Sequence, residues 1–124
     1  MSGRRQARRR GAMAETVAAW WLRLKGYRIV ERGLVTGRGT GAGEVDLIAR
    51  RGRVVAFVEV KARPSLAEAL DAIRPRQRSR VARAAETYLA RRPDLAGHDI
   101  RFDAVLVVPG RLPRHIVDAW RMDA

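Results

Sequence analysis

Asp46 is followed, after 12 residues, by Glu59-Val60-Lys61, and all of them stand inside or at the end of the two apolar runs Val45–Ala49 and Val54–Val60. Runs of this kind are the signature of buried sheet, where an unpaired charge costs several kcal/mol. Two explanations fit. In the first, a solvated sheet face carries a cross-strand salt bridge from Asp46 or Glu59 to Lys61, contributing about 0.2–1 kcal/mol. In the second, the acids form a hard-cation site. Two carboxylates at close range repel, and a divalent cation held by oxygen ligands with some retained water resolves the repulsion, which suits Mg²⁺ or Mn²⁺. A lysine beside them can orient or deprotonate a water and offset charge developing on a phosphate. Carboxylates, metal and lysine together make phosphodiester hydrolysis the corresponding reaction.

The two runs must be neighbouring strands for this chemistry to work. Glu44–Arg50 and Arg53–Lys61 are joined by "RRGR", a tight hairpin turn with Gly52 at positive φ. Alternation puts Glu59, Lys61 and Phe57 on one face, Val58 and Val60 on the other. Glu44 and Asp46 share a face, with Val45 and Leu47 opposite.

Around this hairpin the pattern predicts a helix over 11–25, with Met13, Val17, Trp20 and Leu24 as its apolar stripe and Gly26 as its stop. A first strand follows at 27–32 and a glycine-rich hairpin loop at 36–43, which lacks the Gly-Lys-Ser/Thr ending of a phosphate-binding loop. Ser65 and Glu68 form a capping box for a short helix over 66–73, which Pro75 breaks. A longer helix over 76–91 buries Val81, Ala84, Ala85, Tyr88 and Leu89 and carries Arg76, Arg80, Arg83 and Arg91 on its other side. Strands at 100–108 and 114–120 complete an α/β domain, a mixed sheet with helices on both faces.

The chain has 124 residues, one domain's worth, with a basic arm expected to be disordered over residues 1–10 and the domain over 11–124. The net charge is +13, and 24 of the 26 basic residues are arginine, the better bidentate ligand for phosphate. Such a surface points to a polyanion, DNA or RNA. No run of 18 apolar residues predicts a membrane span, and no helix pairs a broad apolar face with lysine-rich flanks for a membrane surface. The absence of cysteine excludes disulfides, thiolate metal sites and a cysteine nucleophile, and fits a cytoplasmic protein.

The string "GEVDLIA…VVAFVEVKAR" resembles the core of the YraN family of small bacterial proteins, and Asp46 with Glu59-Val60-Lys61 resembles the D…(D/E)xK signature of the restriction-endonuclease-like PD-(D/E)xK nucleases. The likeness continues through "AETVAAWWLRLKGYRIVER", "RPRQRSRVARAAETYLARRPDL" and "RFDAVLVVPGRLPRHIVDAW". It implies a restriction-endonuclease-like fold, similar to archaeal Holliday junction resolvases. It also implies a metal-dependent endonuclease acting on branched or single-stranded DNA, the alternative being a nucleic-acid-binding module that keeps the fold with little turnover. By resemblance Asp46 and Glu59 hold the metal, Lys61 is the catalytic lysine, Glu15 matches an acid of the first helix, and Gln77 is a polar residue near the site. Arg63, Arg76, Gln77, Arg80 and Arg83 are the expected nucleic-acid contacts. Junction cleavage needs two active sites and hence a homodimer, for which no interface is readable. The family's segment at 33–43 is shorter and carries an asparagine and an arginine where this chain is glycine-rich. At 100° per residue Glu15 also lies opposite the Val17–Leu24 stripe, so it either occupies a second buried face or is a favourable acid in a first turn.

Other polar residues have plainer expectations. His98 and His115 lack metal-ligand spacing and read as surface or structural residues. Asp103 is read as pairing with Arg101 or a nearby arginine rather than approaching the site from its neighbouring strand, and Ser65 as a helix cap. Trp20, Trp21 and Trp120 are candidates for stacking on bases, with core packing the favoured reading for Trp20.

Overall fold

A computed structural model describes the backbone of residues 2–73 and 75–121, without the side chains of residues 2–10, 40 and 75–77. In chain order the elements are α1 (Ser2–Leu24), β1 (Arg28–Thr36), β2 (Gly43–Arg51), β3 (Val54–Ala62), α2 (Leu66–Asp71), α3 (Pro75–Ala90), β4 (Asp99–Val107) and β5 (Arg114–Trp120). The five strands form one sheet in the order β1-β2-β3-β4-β5. Only β3 and β4 run parallel, and α2 and α3 make the crossover between them; the other neighbours are antiparallel. This is a mixed α/β fold, as the pattern predicts. The backbone of the arginine-rich segment continues as the first turns of α1. The side chains of residues 1–10, like those of Arg76 and Gln77, lie outside the described residues.

The sheet is covered on both faces. On one side Val81, Ala84 and Ala85 of α3 pack on Val45, Ile48, Val55, Phe57 and Phe102. On the other, Ala18, Ala19 and Leu22 of α1 pack on Leu47, Ala49, Ala56, Val58 and Val105. α2 lies on the α3 side, where Ala69 meets Ala104 and Leu106. Its first turn is held as expected: the Ser65 hydroxyl accepts the Glu68 N–H at 3.2 Å and donates to Glu68 Oε2 at 3.0 Å. Gly52 takes φ +60 in the β2–β3 turn. Gly43 serves close approach instead: a Cβ there would stand 2.4 Å from the Ala84 backbone nitrogen, so α3 sits directly on the start of β2.

α1 departs from its expected orientation. Met13, Val17, Trp20 and Leu24, the anticipated buried stripe, face outward, and Trp20 is 60% exposed rather than in the core. The buried face is Ala14, Ala18, Ala19 and Leu22, at the same helical spacing but made of small side chains. Small residues let the helix axis approach the sheet closely. They also turn Glu15 inward, which answers the question its position raised.

β2 departs in a second way. Val45 packs on the α3 side and Leu47 on the α1 side, although strict alternation would place both together. The β2–β3 ladder ends at Leu47↔Val58. Beyond it the Val60 N–H donates not to a β2 carbonyl but to Asp46 Oδ2, at 2.7 Å. The strands part there, and a carboxylate fills the opening.

Candidate active site

The parted strands open into a cleft of ≈ 740 Å³, bounded by α1, the ends of β2 and β3, and α3. Glu15, Asp46, Glu59 and Lys61 all line it, together with Arg63 and Arg80. The first four come from three elements, α1, β2 and β3. Glu15 comes from the small-residue face of α1. Asp46 is fixed by the Val60 N–H. Glu59 and Lys61 follow the buried run of β3 and are themselves buried. Arg83 is exposed elsewhere on α3 and does not line the cleft.

Four of the chain's 13 acidic residues, Glu15, Glu44, Asp46 and Glu59, line this one cleft of a strongly basic protein. The crowding raises two of the carboxyls, Glu59 and Glu15. The Glu59 carboxyl is pushed up to about 8, by burial first, then by the charge of Asp46 and a hydrogen bond shared with it; Lys61 pulls it the other way. Glu15 is also raised, by burial and by Asp46, against the opposing charge of Arg32. At neutral pH Glu59 therefore keeps its proton, facing Asp46. Lys61 makes no ion pair among the described residues, so its amine is available to the cleft. No group of three His, Cys, Asp or Glu side chains is arranged as a metal cage among the described residues.

Glu44 was missed as a site residue, though its place two residues before Asp46 was a usable signal. Its carboxylate accepts from Arg80 at 2.9 Å, and both side chains are about half exposed. Arg80 thus stands at the cleft with its charge already paired, in a contact of the weak, exchangeable kind.

The remaining polar expectations resolve as structural. Asp103 is fully buried and accepts both arms of Arg101 at 2.8 Å, the Asp118 N–H at 2.9 Å, and a hydrogen bond from His115 Nε2 at 2.7 Å. Against burial, which pushes it up, the bonds from His115 and Arg101 bring its carboxyl down to about 2. Lys25 Nζ lies 2.5 Å from the other ring nitrogen of His115, so the ring bridges Lys25 and Asp103. Arg50 donates to His98 at 3.1 Å. Trp120 is buried and stacks on Phe102 at 4.2 Å between ring centroids.

The fold and cleft together define a small mixed-sheet α/β protein with an acidic, lysine-bearing pocket at a break in its central hairpin. Residues 14–107 match the model of the Uncharacterised protein family UPF0102, and the chain belongs to that family. It is 63% identical over 117 residues to a UPF0102 protein of Paramagnetospirillum magneticum, covering 94% of this chain and 91% of that one. A UPF0102 protein of Parvibaculum lavamentivorans is 55% identical over 115 residues, covering 93% and 84%, and one of Caulobacter vibrioides is 48% identical over 114 residues, covering 92% and 88%. Among the described residues no helix is long and apolar enough to cross a membrane.

Proposed function

We propose that the protein is a metal-dependent endonuclease of the restriction-endonuclease-like type, acting on DNA. One observation carries the reading: Asp46, Glu59 and Lys61, from two adjacent strands, line one cleft, with the Glu59 carboxyl kept protonated by burial and by Asp46 beside it. A divalent cation is the natural replacement for that proton. The residues fit a Mg²⁺ or Mn²⁺ ion of the kind bound through two carboxylates, with water and substrate phosphate completing its shell. Asp46 and Glu59 would hold it, and the bound ion would polarise a phosphodiester and acidify water.

The rest belongs to the chain itself. Lys61 is one of only two lysines. A chain that uses arginine almost everywhere keeps here a buried amine, a compact donor that can orient a water. The other lysine, Lys25, is committed to His115. Arg63 and Arg80 meet the phosphates that flank the cleft, Arg80 by exchanging its exposed bond to Glu44 for one to phosphate.

The test is cleavage of branched, single-stranded and duplex DNA with Mg²⁺, Mn²⁺ or EDTA. Asp46→Asn and Lys61→Ala run alongside, Asn being chosen because it can still accept the Val60 N–H. Metal-dependent cleavage is expected to disappear in both variants while binding in EDTA stays within a few-fold. Wild-type binding without cleavage under any metal would identify a nucleic-acid-binding module instead. Cleavage surviving both substitutions would refute the assignment.

A further inference from the structure

The outward stripe of α1 is not absorbed by the cleft chemistry. Met13, Val17, Trp20 and Leu24 are 67%, 41%, 60% and 76% exposed, in a row about 16 Å long at the 1.5 Å rise of a helix. Met13 and Val17 also line the cleft, so the row begins at the site and runs away from it. Cations bracket it. The Arg23 guanidinium lies over the Trp20 ring, 5.7 Å from its centroid. Arg32 reaches from β1 to donate to Thr16 Oγ1 at 3.0 Å, beside the stripe. Neither arginine makes an ion pair among the described residues.

We propose that this stripe is a platform for unpaired bases, so that the substrate is a strand with a single-stranded flank beside the bond at Asp46 and Glu59. The proposal rests on the nuclease reading and narrows it. Charge selects the occupant. A second copy of this chain would bring +13 against +13 across a strip one side chain wide, far from the roughly 800 Å² per partner that stable protein interfaces bury. Single-stranded nucleic acid supplies what the surface lacks on both counts: π-faces for Trp20 and phosphates for Arg23 and Arg32. Duplex DNA keeps its base faces stacked away from any such platform.

The test is binding in EDTA, by fluorescence anisotropy, of a labelled single-stranded oligodeoxynucleotide and a blunt duplex of equal length. Wild type, Trp20→Ala and Trp20→Phe are compared, with sedimentation of each protein. Trp20→Ala is expected to weaken single-strand binding about tenfold and duplex binding less than twofold. Trp20→Phe keeps most of the affinity. Unchanged single-strand affinity, or equal losses on both probes, overturns the platform while leaving the nuclease reading in place. A wild-type dimer that Trp20→Ala splits also overturns it, assigning the stripe to self-association. Wild type binding neither probe removes the nucleic-acid reading and the platform with it.

Discussion

The charge state of the cleft turns on Glu59, and Glu59→Gln isolates it. The carboxyl stands at about 8 in the folded protein against an ordinary 4.5. Below pH 4.5 the acid is protonated whether the chain is folded or not, and the raised value contributes its full stability. As pH rises from 4.5 to 8 the unfolded chain releases its proton while the folded one retains it, so folding loses up to about 1.4 kcal/mol per pH unit. Because the charge of Asp46 contributes to the shift alongside burial, the total expected is roughly 2–5 kcal/mol. Glutamine copies the protonated acid and does not titrate. Relative to wild type, Glu59→Gln should therefore gain nothing at pH 4, gain progressively up to pH 8, and hold a constant advantage above it. Urea denaturation at fixed pH between 4 and 9 reads this difference directly. At pH 8, Mg²⁺ at a hundred times its Kd adds about 2.7 kcal/mol to wild type and little to the variant, because the ion replaces the proton only where the second carboxylate exists. Glu15 contributes a weaker slope of the same sign to both proteins, so it cancels in the comparison. Parallel stability curves for the two proteins from pH 4 to 9 would refute the claim that burial and Asp46 hold Glu59 protonated.

Three further outcomes are expected. Asp103→Asn leaves Arg101 and His115 without their buried carboxylate and should cost about 3–5 kcal/mol in denaturant melts. Since Asp103 is lowered to about 2, the stability it contributes is complete above its ordinary value of 3.8 and disappears as pH falls through 2, a drop that Asp103→Asn should not show. Leu22→Ala should cost about 2–5 kcal/mol and Leu24→Ala less than about 0.5, because the first is fully buried against the sheet and the second is 76% exposed. Gly43→Ala forces a Cβ to within 2.9 Å of the Ala84 Cα and should cost about 1–3 kcal/mol, read as a lowered Tm in calorimetry.

Which parts of the molecule were legible follows from what each residue type signals. Asp46, Glu59 and Lys61 stand out because a charge in an apolar run is costly unless it is paired or solvated. The Gly52 turn and the Ser65 cap stand out because their chemistry is local. Two features were not legible. Alternation cannot foresee that a carboxylate will take the place of a ladder acceptor, which is what Asp46 does to Val60 and why Val45 and Leu47 face opposite ways. Side-chain size misleads on α1 as well. The stripe of Met, Val, Trp and Leu carries the larger hydrophobic signal, yet Ala14, Ala18, Ala19 and Leu22 are buried. Glu15 lies among those small residues, and only neighbours of that size let α1 come close enough for its carboxyl to feel Asp46. A helix turned the other way would bury more apolar area and take Glu15 out of the cleft. Exposing a row of large apolar side chains is normally a liability for a protein in water. The fold accepts it here because the same rotation that exposes Trp20 completes the acidic cleft.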